Sequence, residues 1–360
     1  MTEPVVELQL DGLVGPTHHF GGLSYGNLAS MTHAGWHSRP RQAARQGLAK
    51  MRRVLALGIP QAVLPPLPRP ELGFLRQVGF RGSDAEVLQQ AASSAPYLLR
   101  LAMSSAFMWT ANTATVIPSS DSVDGRCHVV VANLAATPHR ALEGTARAAM
   151  LRHLFRDPDL VLVHGPLPAN PALSDEGAAN HCRLAASRAE RGWHLFVYGR
   201  THDTPQHDLP RRFPARQSCE ASMAVARLGR LLPGQALFAR QHPRAIDAGA
   251  FHNDVVMVGD GPRLLLHEQS LVEQDTVLRI VRQHLPSLRV YQVAQRELSL
   301  RQAVQSYLFN SQLLSALPGY VLLAPMQSSD GAAARVIRHL LDDGFIDRVI
   351  FQDLDQSMAG

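Results

Sequence analysis

The sequence predicts an α/β chain, and two observations carry that prediction. Short apolar, β-branched runs alternate with longer segments of helical period over most of the length. Adjacent runs at 254–258 and 263–267, joined by Gly259-Asp260-Gly261-Pro262, read as a hairpin, which a purely parallel doubly wound sheet does not need. The strand candidates are 128–133, 160–164, 194–198, 236–239, 254–258, 263–267, 289–293, 320–323 and 348–352. Helical periodicity marks 41–57, 84–101, 141–155, 177–189, 219–231, 271–284, 299–315 and 331–342. One helix start is explicit, because Ser83 followed by Glu86 forms a capping box ahead of an apolar-periodic run. The richest breaker stretch, 60–70, is too short to separate two domains, so a single domain over 1–360 is expected.

Composition narrows the class of function. With 46% hydrophobic and 18% charged residues in 360, the chain is a globular protein with a sizeable core, not a disordered, collagenous or coiled-coil one. The net charge of +5 could suggest a polyanionic partner. Lys50 is the single lysine, however, and the arginines are spread along the chain; with aromatics at only 6%, nothing resembles a nucleic-acid surface. A small acidic ligand remains compatible. Cys127, Cys182 and Cys219 form no CxxC pair, which fits a reducing compartment. Met1-Thr2-Glu3-Pro4 opens no leader pattern and no apolar run approaches a membrane span, so a cytoplasmic, unanchored protein is expected.

Four segments could carry chemistry. The glycine-rich run Gly12 to Asn27 contains His18 and His19, then Gly21, Gly22, Leu23, Ser24, Tyr25, Gly26 and Asn27; its backbone can approach a ligand closely. It matches neither a phosphate loop nor a dinucleotide fingerprint, and the histidines lack the spacing of a metal site. In Ser174-Asp175-Glu176-Gly177-Ala178-Ala179-Asn180-His181 two carboxylates stand at a presumed helix opening. They read either as a dipole-favoured cap or as a clamp for a cationic group such as guanidinium, with small residues clearing space beside Glu176. His252, Asn253 and Asp254 sit at the mouth of an apolar strand, where a carboxylate can tune a histidine as general acid or base. Arg212 and Arg216 precede a helix near Cys219 and offer planar forks for an acidic end; Asn112, His139 and Arg140 are weaker signals.

The chain resembles the N-succinylarginine dihydrolase family. The resemblance rests on Leu10-Asp11-Gly12-Leu13-Val14-Gly15, THH, GLSYGN, FRGSD (80–84), MWTANTATVIPS (108–119), VANL (131–134), DEGAANH (175–181), FVYGR (196–200), PARQ (214–217), FHNDV (251–255) and YLFNSQLLS (307–315), in order and nearly end to end. It implies a pentein fold, a five-bladed pseudo-symmetric α/β propeller with the site on its axis. It also implies hydrolysis of N2-succinyl-L-arginine in arginine catabolism, without metal or organic cofactor, by a cytoplasmic homodimer. The resemblance makes Glu176 and His252 catalytic. It assigns the substrate to the loop residues Gly21 to Asn27 named above, to Leu28, Ala29 and Ser30 that follow them, and to Asn112, His139, Arg140, Arg216 and Asp254. In that family a cysteine nucleophile lies near the C-terminus, just beyond a segment like 353–360, and Cys127, Cys182 and Cys219 do not match it. The expectation is a propeller incomplete at its C-terminus, either lacking its nucleophile or belonging to an inactive pentein that only binds a guanidino compound.

Overall fold

Fourteen strands fall into five small sheets in the computed structural model, which describes residues 7–316 and 319–358. The readings of Met1-Thr2-Glu3-Pro4 and of Ala359 and Gly360 lie outside the described residues. The first sheet pairs β1 (Gln9–Gly12) with β2 (Gln61–Leu64) in parallel. The second holds β3 (Ala114–Ile117), β4 (Cys127–Val131) and β5 (Val161–His164), and the third β6 (His181–Leu184), β7 (Trp193–Tyr198) and β8 (Ala236–Arg240). The fourth contains β9 (Met257–Asp260), β10 (Arg263–His267) and β11 (Arg289–Val293), and the fifth β12 (Gln312–Ala316), β13 (Gly319–Pro325) and β14 (Arg348–Gln352).

One unit explains four of them, and its parallel pair alone makes up the first. In each three-stranded sheet the first strand runs antiparallel to the middle one, which runs parallel to the third. A parallel pair needs a crossover, and helices Gly144–Leu154, Cys219–Leu228, Gln274–His284 and Gly331–Asp342 supply it, as Pro40–Ala56 does between β1 and β2. These helices bury their apolar faces between neighbouring units. Val277, Leu278 and Val281 join Leu195 and Leu264 in one core, while Val336, Ile337 and Leu340 join Leu265 and Leu322 in the next. The ring closes where Val54 and Ile59 from the first unit pack against Leu314 and Leu323 of the last.

The inner ends of the units build the site. Each three-stranded sheet is entered from a short 3-10 turn: Thr110–Asn112, Gly177–Asn180, Asn253–Val255 and Leu308–Asn310. Consecutive turns touch one another, so four polar corners converge on the ring axis.

These corners are where the sequence expectations fail. The predicted helix 177–189 is a 3-10 turn followed by β6, and 299–315 is helix Leu300–Ser306, a second turn and β12. The predicted strand 254–258 starts only at Met257, so His252, Asn253 and Asp254 lie on a turn and not at a strand mouth. Gly177 (φ +69°) and Tyr307 (φ +54°) adopt left-handed backbone that an α-helix cannot continue through. Segment 84–101 is split into Asp84–Ser94 and Pro96–Ala102, because Pro96 has no N–H to donate. The Ser83–Glu86 capping box and the β9–β10 hairpin are present. No described helix is long and apolar enough to cross a membrane.

Two neighbouring units are latched by a buried carboxylate. Asp121 accepts hydrogen bonds from Arg183, from the Gly192 amide (2.9 Å) and from His194 Nε2 (2.9 Å), all donated by the β6–β7 hairpin. Burial works against its ionised form, but these donors outweigh that and hold its carboxyl well below the usual range. We expect Asp121→Ala to cost about 3–5 kcal/mol in urea unfolding, the typical loss when one member of a buried charge network is removed. A depressed carboxyl stabilises above its unfolded pKa, so this contribution should fade as pH falls below about 4. A variant as stable as the parent would show that the latch is not structural.

Candidate active site

The Arg140 side chain fixes the orientation of Asn112 and, through it, of His252. A guanidinium only donates, so Arg140 Nη1 at 2.7 Å from Asn112 sets the amide oxygen toward itself. The Asn112 amide nitrogen therefore faces the opposite way, toward the Glu176 carbonyl (3.2 Å) and His252 Nδ1 (3.3 Å). Because Asn112 donates there, His252 Nδ1 accepts and its ring proton sits on Nε2, which donates to Glu176 Oε2 at 2.6 Å. Glu143 holds Arg140 with two hydrogen bonds, of 3.2 and 3.1 Å. All five side chains are buried.

Local backbone makes this approach possible. Gly177 follows Glu176 at positive φ, and a Cβ there would lie 2.9 Å from the Asn112 carbonyl oxygen, so only glycine lets the two turns meet. Across the axis, the Gln241 amide donates to the carbonyls of Ala250 (2.8 Å) and His252 (3.3 Å), fixing the strand-like entry into the Asn253–Val255 turn. Asn180 Oδ1 accepts the Asn253 amide at 2.8 Å and ties this turn to its neighbour.

The electrostatics separate the acidic groups. Burial pushes the Glu176 carboxyl up, but the His252 hydrogen bond and the charges of Arg216 and Arg140 outweigh it and leave it below its ordinary value. Asp254 is raised by burial to about 6, opposed by His252 and by the Asn310 side chain that faces it. His139 is lowered by burial, with Arg140 and Arg216 adding to the shift, to about 3, so it is neutral at physiological pH.

A cavity of about 420 Å³ opens over this set and falls within the usual range for a small-molecule site. Asn112, His139, Arg140, Arg216, His252 and Asp254 line it together, as do Ser24, Asn27, Ala29 and Ser30 of the glycine-rich loop. Glu176 does not line the cavity; it meets the cavity through His252. Buried Glu176 Oε1, Asp254 Oδ1 and His139 Nδ1 have no hydrogen-bond partner among the described residues, which leaves unsatisfied polar atoms at the axis. Arg216 donates to Ser24 Oγ (3.0 Å) and the Tyr25 carbonyl (2.7 Å), and its guanidinium lies 4.8 Å over the Phe251 ring.

Several sequence candidates sit elsewhere. Gly21, Gly22, Leu23, Gly26 and Leu28 shape the loop without lining the cavity: Gly22 donates to the Ser30 carbonyl, and Leu28 packs against Phe213 and Ile246. Tyr25 reaches Arg216 through its carbonyl, but its ring is exposed and its hydroxyl donates to the Arg212 carbonyl. Arg212 stacks over Phe213, outside the cavity. No thiol lines it either; Cys127 and Cys219 are pushed up by burial, and Cys182, on β6 instead of a helix, is pushed by burial to about 12. Among the described residues no group of three His, Cys, Asp or Glu side chains is placed to hold a metal ion. The residues that sequence reasoning missed are Glu143, Asn133, Gln217 and Asn310; of these, Asn133, Gln217 and Asn310 fall inside the VANL, PARQ and YLFNSQLLS motifs, which were the available signal.

The family model for succinylarginine dihydrolase matches residues 4–360. The chain is 48% identical to an N-succinylarginine dihydrolase of Chromohalobacter salexigens over 99% of its own length and 81% of that protein's. It is 48% identical to the one of Myxococcus xanthus, over 98% and 80%. Among solved structures it is similar to the N-terminal domain of ArgZ, an arginine dihydrolase of the ornithine-ammonia cycle in Cyanobacteria, as a cysteine-to-serine mutant bound to substrate. That match has a TM-score of 0.56 at 13% identity and covers 98% of this chain and 93% of that one. At that identity the likeness speaks for the fold, which is the pentein fold.

The hydrogen-bond orientation makes a direct spectroscopic claim. Nitrogen-15 NMR of the unliganded chain at neutral pH should show His252 with its proton on Nε2 and a bare Nδ1. The opposite tautomer would mean that Asn112 faces the other way and that Arg140 does not orient it.

Proposed function

The chain belongs to the succinylarginine dihydrolase family, and from that premise we propose that it serves the hydrolysis of N2-succinyl-L-arginine. With two waters the products are N2-succinyl-L-ornithine, carbon dioxide and two ammonia, a step of arginine catabolism. One observation carries this reading: a single cavity has a carboxylate beside a carboxylate-paired imidazole, Asp254 with His252 and Glu176, and two buried arginines, Arg140 and Arg216. A ligand with a guanidinium at one end and carboxylates at the other matches that division of charge.

The chemistry follows from the residue types. A guanidinium carbon is a poor electrophile, so Asp254 holds its nitrogens while a cysteine sulfur attacks the carbon. The thiol proton passes to His252 Nδ1, and the imidazolium so formed is stabilised by Glu176 at Nε2. A C–S bond forms, the proton moves from Nδ1 to the departing nitrogen, and ammonia leaves as the C–N bond breaks. Water then attacks the amidino thioester, the C–S bond breaks and a ureido compound is left; a second cycle releases the other terminal nitrogen as ammonia, and the resulting carbamate loses carbon dioxide to free the ornithine amine. Arg216, the Ser24 hydroxyl and the loop amides hold the succinyl and α-carboxylates, while Asn112 and Arg140 orient His252. We assign the nucleophile to a cysteine outside residues 1–360, since Cys127, Cys182 and Cys219 lie off the cavity and the matched relatives are longer than the matched region.

The absence of a thiol from the cavity lining also favours a second reading, in which this chain binds the substrate without turning it over. Ammonia release separates the two. The 360-residue chain should release none from succinylarginine, and the same chain extended to the length of its relatives should release two per substrate. In the extended chain His252→Ala should lower the rate by about 10²–10⁴-fold, the usual contribution of general acid–base catalysis. An inactive extended chain would support the binding-only reading, and turnover by the 360 residues alone would overturn the nucleophile assignment. Calorimetry should show Arg216→Ala weakening succinylarginine binding by about 10–100-fold, from the loss of charged hydrogen bonds. Equal affinity for the parent and the variant would remove Arg216 from the carboxylate end.

A further inference from the structure

Glu176 is not on a regular element; it stands on a single turn between Leu173 and Gly177. What holds it there comes from the preceding unit of the ring and from the segment that leads into its own unit's crossover helix. On one side, Asn133, just after β4, accepts the Asp175 amide on Oδ1 at 3.0 Å and donates from Nδ2 to the Leu173 carbonyl at 2.7 Å. On the other, Gln217 Oε1 accepts the amide of Glu176 itself at 2.6 Å. The Gln217 amide nitrogen donates to Asp175 Oδ1 (3.2 Å) and Ser222 Oγ (3.1 Å), so its orientation is set by a carboxylate that only accepts. Asp175 Oδ1 also accepts the Gly177 amide at 3.2 Å. Gln217 thus grips the residue bearing the carboxylate and the carboxylate before it, and it is 5% exposed.

We propose that Gln217 is a positioning residue that sets the Glu176 carboxylate against His252. The assignment rests on the reading of Glu176 and His252 as the acid–base pair, but its test does not involve substrate. Gln217 touches neither His252 nor the cavity, and it acts through the Glu176 main chain. A side-chain amide is suited to this task, because one oxygen and one nitrogen, held rigid by the planar group, satisfy a backbone N–H and an acidic side chain at once. A carboxylate in its place would face Asp175 with like charge, and an apolar residue would leave the Glu176 amide and the Asp175 carboxylate short of a partner in a buried site.

The readout is the His252 Nε2–H proton resonance of the unliganded chain, which the 2.6 Å bond to Glu176 should place far downfield and protect from exchange. In Gln217→Met, which keeps the volume and removes all three side-chain hydrogen bonds, the resonance should move upfield or be lost to exchange. Gln217→Asn keeps an amide but falls one methylene short, and it should give the same result even where the methionine variant does not fold. Ser222→Ala removes the outer Gln217 contact and the Ser222 bond to the Ser218 carbonyl, and it should leave the resonance in place while lowering the melting temperature modestly. A resonance unchanged in a folded Gln217 variant would overturn the proposal and leave Gln217 a structural residue. A Ser222→Ala shift as large as that of Gln217→Asn would overturn it as well, since the effect would then be general loosening. Failure of the extended chain to hydrolyse succinylarginine would instead count against the functional reading and leave this result intact.

Discussion

An imidazole and a carboxylate lie 2.6 Å apart in the middle of a ring of five units, both almost fully out of water. Burying such a pair is unfavourable unless the remaining polar atoms are met, and much of the inner architecture can be read as meeting them. Asn112 takes one face of His252, Gln241 its carbonyl, and Gln217 the backbone of Glu176. Arg140 and Arg216 add the positive charge that keeps Glu176 ionised against its own burial. The cations are held in turn, Arg140 by Glu143 and Arg216 by Ser24, Tyr25 and the face of Phe251.

The ring geometry is what brings these groups together. Each three-stranded unit delivers one short turn to the axis, and those turns carry Asn112, Asn180, Asp254 and Asn310. The strands and crossover helices behind them form separate apolar cores between units, so the polar corners can vary without disturbing the packing. Chemistry and stability are therefore largely carried by different residues. The Asp121 latch shows the complementary case, a buried carboxylate that accepts four hydrogen bonds from the neighbouring unit and joins two units away from the cavity.

The middle and outer strands and the crossover helices were legible because they are long enough to show a period. Runs such as 263–267, 289–293 and 348–352 coincide with strands, and 331–342 with a helix. The strands β1, β2, β3, β6 and β12 were not, since each is only four or five residues long; β6 and β12 also begin one residue or less after a turn, so their patterns merge with a helical one. Glu176, His252, Asp254 and Arg216 were singled out because charged and polar residues stood beside apolar or small ones. Gln217 and Asn133 carried no such contrast; their partners lie 41 and 42 residues away, and only the folded ring puts an amide against a distant backbone N–H. The orientation of Asn112 was equally invisible, because it depends on an arginine 28 residues further along the chain.

The central claim is that this axial cavity binds succinylarginine with its guanidinium at Asp254 and His252 and its carboxylates toward Arg216. A crystal structure of the chain with N2-succinyl-L-arginine measures that directly. The account predicts the guanidinium within hydrogen-bond distance of Asp254 and its carbon facing His252 Nδ1, with a carboxylate on Arg216. A ligand bound in the reverse sense, or bound outside this cavity, would contradict it.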